Sequence, residues 1–249
     1  MLDGLRFSFG TLSVLRVRVD RWDRETAGRA MLAAPLVALV LGALAAGAGA
    51  LVAWRGNSLL AGTASVAVLA ALTRGLHLDG LADVADGLGS GKPAEDALRI
   101  MKQSDIGPFG VLTLVLALLA QVAALAAQFA HSPARGALAV LTAALAARCA
   151  LAWGCLRSVP AARPGGLGAM VAGTVPAGGA LTVTALSALA VGFGPGGWHR
   201  PLALAVGVGA AWLLLRRCVR RLDGITGDVL GAMAETAATA TLVSLSISG

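Results

Sequence analysis

The stretch His77-Leu-Asp-Gly-Leu-Ala-Asp-Val-Ala-Asp-Gly87 follows directly on an apolar run that starts near residue 58. Asp79, Asp83 and Asp86 stand at i, i+4 and i+7, in a chain with only 13 acidic residues among 249. At 100° per residue the three carboxylates share about 60° of one helical face. Anions held so close repel one another, so one of them binds a proton unless a cation neutralises the group. Oxygen-only ligands select a hard ion, Mg²⁺ or Mn²⁺, rather than zinc. The bland reading is a capping or solvated acidic turn beside a membrane. It fits less well, because a solvated face does not ordinarily interleave its acids with Gly80 and Gly87 and so few Lys or Arg.

Outward from this stretch, composition sets the class. Hydrophobic residues make up 57% of the chain and charged residues 13%, with a mean hydropathy of +0.79. Soluble globular domains do not have this balance. Long Ala, Leu and Val runs predict an all-α, polytopic helical membrane protein, since only helices or closed barrels satisfy their backbone groups in lipid. Residues 1–249 read as a single integral membrane domain, opened by a basic cytoplasmic interfacial segment at 1–30 that carries Arg6, Arg16, Arg18, Arg21, Arg24 and Arg29. No signal-peptide core follows the first residue. Seven spans are predicted, at about 31–54, 58–76, 109–130, 136–156, 177–193, 201–215 and 229–248. Between the second and third lies a polar loop of about thirty residues. Cys149, Cys155 and Cys218 show no Cys-x-x-Cys spacing and read as packing residues.

Charge tests this layout independently. With the N-terminus inside, the inner segments 1–30, 74–108, 156–176 and 216–228 hold 16 of the 20 Lys and Arg. The outer turns hold Arg55, Arg135 and Arg200, and Arg148 lies within a span. The asymmetry places the N-terminus in the cytoplasm, and with it both acidic motifs. The net charge of +7 is then explained by orientation and anionic lipid, with no nucleic-acid partner.

The second motif, Asp223-Gly-Ile-Thr-Gly-Asp228, leads into the last span, where Glu235 follows seven residues after Asp228 and about 20° away on the same face. A carboxylate inside a span costs about 2.5–3.5 kcal/mol on insertion scales, so Glu235 should face the bundle interior. A Glu that merely bonds a neighbouring helix is the lesser alternative. Two acidic helix faces on one side of the membrane would enclose one or two Mg²⁺ ions, with Arg74, Arg99 and Lys102 available for phosphate oxygens or, as readily, lipid headgroups. His77 reads either as a ligand or acid–base group or as a structural hydrogen-bonding residue. Ser-His-Asp order, zinc motifs, P-loops and Gly-x-Gly-x-x-Gly turns are absent. From the residues alone the reading ends at Mg²⁺-dependent phosphoryl or phosphonucleotide chemistry at the inner face of a membrane.

Three segments carry it further: 72–87, Ile100-Met-Lys-Gln-Ser-Asp-Ile-Gly-Pro-Phe-Gly110, and Gly224-Ile-Thr-Gly-Asp-Val-Leu-Gly-Ala-Met-Ala-Glu235. Together with the Pro35-Leu36…Gly42 spacing, they resemble the cobalamin synthase family, the adenosylcobinamide-GDP ribazoletransferases, in order and over nearly the whole chain. One departure is visible. The family often reads Met-(Lys/Arg)-Asp-Ser-Arg-(Ile/Val)-Gly in the middle motif, whereas Gln103 and Asp105 stand here.

The resemblance implies that adenosylcobinamide-GDP and α-ribazole, or its 5′-phosphate, give adenosylcobalamin or its phosphate plus GMP, with Mg²⁺. It implies catalytic roles for Asp228 and Asp86 and substrate contacts at His77, Arg74, Lys102, Ser104 and Thr226. Metal ligands would come from Asp79, Asp83, Asp86, Asp228 and Glu235. The enzyme would sit in the bacterial or archaeal cytoplasmic membrane, in contact with lipid. A second copy or other corrinoid-assembly enzymes are candidate partners.

Two other readings start from the same acids. A CDP-alcohol phosphotransferase matches at Asp83-Val-Ala-Asp86-Gly87, but Leu88-Gly-Ser-Gly91 lacks the expected Ala-Arg and the later Gly-x-x-x-Asp-x-x-x-Asp is missing. A divalent-cation transporter would use intramembrane acids as ion ligands, yet only Glu235 lies clearly inside a span. The charge asymmetry makes a direct prediction. In intact cells, a thiol reagent that does not cross membranes should label Ser132→Cys and spare Ser90→Cys; equal labelling of the two would overturn the layout.

Overall fold

A computed structural model describes residues 2–193 and 197–247. Among the described residues there are eleven helices: α1 (Leu2–Leu12), α2 (Arg24–Trp54), α3 (Ser58–Leu72), α4 (Leu76–Gly89), α5 (Ala94–Ile100), α6 (Pro108–His131), α7 (Pro133–Gly154), α8 (Gly166–Val171), α9 (Ala177–Gly192), α10 (His199–Leu222) and α11 (Gly227–Ile247). Among the described residues β-structure is confined to two isolated bridges, Leu156 with Val175 and Ala161 with Ile225. The all-α membrane class stands. Helices α2, α6, α7, α10 and α11 are long and apolar enough to cross a bilayer. Each of the seven predicted spans coincides with a helix, although α3 and α9 are shorter than a full span. The predicted end of the last span, Ser248, lies outside the described residues.

The helix starts follow from local chemistry. Asp23 caps α2 by accepting the Thr26 N–H at 2.8 Å, and Asn57 does the same for α3 through Leu60 N–H at 2.9 Å. Ser132 caps α7, with Pro133 in the first position, where no amide donor is needed. The cap at Asp23 starts α2 seven residues before the predicted span. Arg24 is accommodated there because its guanidinium donates to the carbonyls of Ala169 and Ala172.

At the centre lies α7, all of whose residues from Ala143 to Ala152 are buried. Small side chains make that close packing possible. A Cβ on Gly42 of α2 would stand 3.1 Å from the Ala144 Cβ, closer than an ordinary contact, so glycine there lets the two backbones approach. The amino-terminal segment packs on this core. Phe7 is fully buried and its ring lies 4.9 Å from that of Trp22, so residues 2–12 form a wall of the protein.

Two predicted features change in the structure. The span expected at 58–76 ends at Leu72, and α4 departs from the direction of α3 by 89°. Arg74 and Gly75 both take left-handed backbone conformations, φ 56° and 67°, which turn the chain sharply between the helices. The stretch between that turn and α6 holds α4, where the helical spacing of the aspartates is met, and in the expected polar loop the short α5. Helix α4 thus runs across the direction of α3, packs against α6 and α11, and carries the aspartates of the first motif to that crossing.

Candidate active site at the crossing of α4 and α11

The two acidic motifs meet through glycine. A Cβ on Gly80 of α4 would lie 2.6 Å from the Asp228 carbonyl oxygen, and one on Gly231 of α11 would lie 3.1 Å from the His77 Cα. The backbones therefore touch where any larger residue would hold them apart. This crossing brings Asp228 into the electrostatic reach of Asp79 and Asp83. Thr226 orders the second motif: its hydroxyl accepts the Val229 N–H at 3.2 Å and donates to Asp228 Oδ2 at 3.1 Å.

The three aspartates of α4 have different surroundings. Asp79 is exposed and Asp83 is half-buried. Burial, and then the charges of Asp79, Asp228 and Asp86, push the Asp83 carboxyl up to about 7, opposed only by Arg163. Asp86 is buried, and its two oxygens accept the Gly107 N–H at 2.7 Å and the Gly110 N–H at 2.9 Å. It thereby caps α6 with a charge at the positive end of the helix. The Gly-Pro-Phe-Gly segment is tied to α4 through this carboxylate.

Glu235 is held apart from these aspartates. It accepts a hydrogen bond from Gln121 Nε2 at 2.8 Å and interacts electrostatically with Arg148. Arg148 is itself buried and lies 3.3 Å from His77 Nδ1. These groups line a cavity of about 50 Å³, polar enough and large enough for a water molecule. Of the expected substrate contacts, Thr226 and His77 line the cleft beside Asp228. Arg74, Lys102 and Ser104 are exposed. Among the described residues no three His, Cys, Asp or Glu side chains are arranged to hold a metal ion.

Residues that the motifs did not bring forward complete the site. Arg163 donates to the Leu98 carbonyl, and its charge acts on both Asp83 and Asp228. It lies in a glycine-rich stretch where nothing distinguished it from an orienting cytoplasmic charge. Arg148 carried a readable signal, as the one basic residue inside a predicted span. Together with His77, Thr226, Asp228 and Gly165–Gly168, Arg163 borders a cleft of about 260 Å³. The arrangement offers oxygen ligands, a hydrogen-bonded carboxylate able to take a proton, and a cation, all beside a partly apolar cleft.

Comparison with known proteins gives this geometry a context. The family model described as cobalamin-5-phosphate synthase matches residues 4–246. A protein of Frankia casuarinae named adenosylcobinamide-GDP ribazoletransferase is 45% identical, covering 96% of this chain and 92% of its own. One of Nocardioides sp. with the same name is 44% identical, over 98% of both chains. Another, of Pseudomonas savastanoi pv. phaseolicola, is 38% identical over 95% of this chain and 96% of its own. No solved structure matches significantly.

The glycine crossing is open to test. Gly80→Val should separate α4 from α11 and lower turnover by about 10²-fold or more, the scale expected when reacting groups are displaced by about 1 Å. Helicity by circular dichroism should be retained. Turnover close to that of the unsubstituted protein would show that the close contact is not needed.

Proposed function

The chain belongs to the cobalamin-5-phosphate synthase family, and we propose that the α4–α11 crossing is where it joins adenosylcobinamide-GDP to α-ribazole or its 5′-phosphate. The chain is a transferase of cobalamin biosynthesis. A ribose hydroxyl of the acceptor attacks the phosphorus that carries cobinamide. The new P–O bond forms as the diphosphate P–O bond breaks, and GMP leaves with the electron pair of that bond. The observation that carries this reading is the contact of Gly80 with the backbone of Asp228, which unites both acidic motifs beside one cleft.

Asp228 is the group best placed to take the proton of the attacking hydroxyl. Its carboxylate is oriented by Thr226 and borders the cleft. Arg163 supplies positive charge where the diphosphate would lie. Asp79, Asp83 and Asp228 have the donor chemistry that Mg²⁺ takes, being oxygen donors that repel one another and are free of ion pairs within 4 Å among the described residues, although they do not converge as a ready-made three-ligand site. An ion held between them would be completed by substrate phosphate oxygens and would neutralise diphosphate charge. Asp86 acts by holding the α6 amino terminus against α4, and Glu235 by balancing Arg148. In this reading the membrane is the cytoplasmic one, the amino terminus is inside, and both substrates arrive from the cytoplasm.

Purified protein given both substrates should release GMP in a Mg²⁺-dependent manner. Asp79→Asn and Asp83→Asn should each lower that release by about 10²-fold or more while remaining monodisperse in detergent, since the amide keeps the shape and removes the charge. Substantial activity in both variants at ordinary Mg²⁺ would remove the cluster from the metal site. Absence of GMP release by the unsubstituted protein would remove the reaction itself.

A further inference from the structure

His77 stands between two spaces. It lines both the inner cavity and the cleft beside Asp228, whereas Arg148 borders the cavity alone. The Gly231 contact presses the His77 backbone against α11, so the ring has a fixed origin. His77 is buried, and its Nδ1 lies 3.3 Å from a terminal nitrogen of Arg148. A guanidinium has N–H donors and no acceptor, so in this hydrogen bond Arg148 donates and Nδ1 accepts. An imidazole that accepts at one nitrogen carries its proton on the other. The tautomer of His77 is thereby set by its neighbour.

The other nitrogen supplies an independent observation. Nε2 is buried and has no partner in the protein. Buried donors are ordinarily paired, because an unmade hydrogen bond is costly. The two nitrogens of an imidazole point in divergent directions. With Nδ1 on Arg148, Nε2 is turned away from the wall that Arg148 supplies and lies on the cleft side. Thr226 and Asp228, polar groups of that cleft, bond to each other and leave Nε2 unserved. The missing acceptor therefore comes with what the cleft binds. Arg163 borders the same cleft, and a cation beside a neutral N–H donor suits the oxygens of a phosphate.

Building on the transferase reading, we infer that Arg148 is a positioning residue that acts through His77, holding it as an Nε2–H donor to a diphosphate oxygen of adenosylcobinamide-GDP. With its proton on Nε2, His77 neither takes the proton of the attacking hydroxyl nor ligates a metal ion through that nitrogen. Glu235, held by Gln121, serves the same arrangement from behind by compensating the charge of Arg148.

Nitrogen NMR of the full-length protein carrying ¹⁵N-histidine reads the tautomer directly, and His77→Asn identifies its signals among those of the three histidines. Nε2 should carry the proton and Nδ1 should show the signature of a bare acceptor. An Nδ1–H form, or comparable populations of both, would overturn the inference. Glu235→Gln and Arg148→Lys each keep a donor at Nδ1 and should keep the signature. Arg148→Met combined with Glu235→Gln removes the donor without stranding a buried charge, and should mix the two forms. An unchanged Nε2–H form in that double variant would remove the role of Arg148. Turnover should fall about tenfold or more below that of Glu235→Gln alone, and equal turnover would count against the role as well. If the double variant does not fold, the unsubstituted protein still decides. Saturating adenosylcobinamide-GDP should move the Nε2 proton resonance downfield; an unmoved resonance would overturn the donation, and loss of the proton with Mg²⁺ alone would make His77 a metal ligand instead. Absence of GMP release would remove the transferase reading, and is told apart from these outcomes because the tautomer is read without turnover.

Discussion

Everything at the candidate site depends on a backbone contact between two helices that meet without side chains between them. Gly80 rests on the Asp228 backbone and Gly231 on that of His77. Two glycines on opposite helices let α4 and α11 approach closely enough for Asp79 and Asp83 to sense Asp228. The 89° turn of α4 away from α3 carries its glycine face across α11. Backbone conformation at Arg74 and Gly75, helix packing and carboxylate clustering are thus links in one chain of cause. A glycine in a helix costs about 1 kcal/mol relative to alanine, which the close approach here offsets by packing and by assembling the site.

Behind the crossing, a second polar group fixes the same elements from the inside. Arg148 on α7 lies against His77 of α4, its electrostatic partner Glu235 is on α11, and Gln121 of α6 donates to both Glu235 and Thr239. Four helices are therefore joined around one small cavity. A buried charge is expensive unless it is compensated, and removing one partner leaves the other uncompensated. Arg148 and Glu235 influence each other across the cavity without an ion pair within 4 Å among the described residues, and the Gln121 and His77 contacts add a register that apolar packing alone would not specify. His77 belongs to both environments, since it lines the inner cavity and the cleft.

Much of this was legible in the sequence, for identifiable reasons. Apolar length marked the helices, because lipid leaves the backbone few alternatives. The i, i+4, i+7 spacing marked Asp79, Asp83 and Asp86 as one face, and α4 is indeed a helix there. Periodicity could not show that Asp86 turns toward the Gly107 and Gly110 amides, because that depends on where α6 begins in space. The same limit hid the separation of Asp228 from Glu235. They share a helical face, but seven residues span about 10 Å of axis, enough to carry one to the cleft and the other to Arg148. The sharp turn after Leu72 was also hidden, since Arg74 in a left-handed conformation has no compositional signature.

Phosphoryl transfer between two large molecules is mainly a matter of positioning, and the cleft beside Asp228 draws its lining from many elements at once. Leu12 comes from α1, Met31 from α2, Leu76 and His77 from α4 and Leu151 from α7. Arg163 and Thr226 come from connecting stretches, and Thr226 bonds both to Asp228 and to the Val229 amide, which sets the carboxylate within the first turn of α11. The helix that carries Asp228 also carries Leu230 and Gly231 into the cleft wall, so the proposed proton acceptor and that part of the wall are held by a single rigid element.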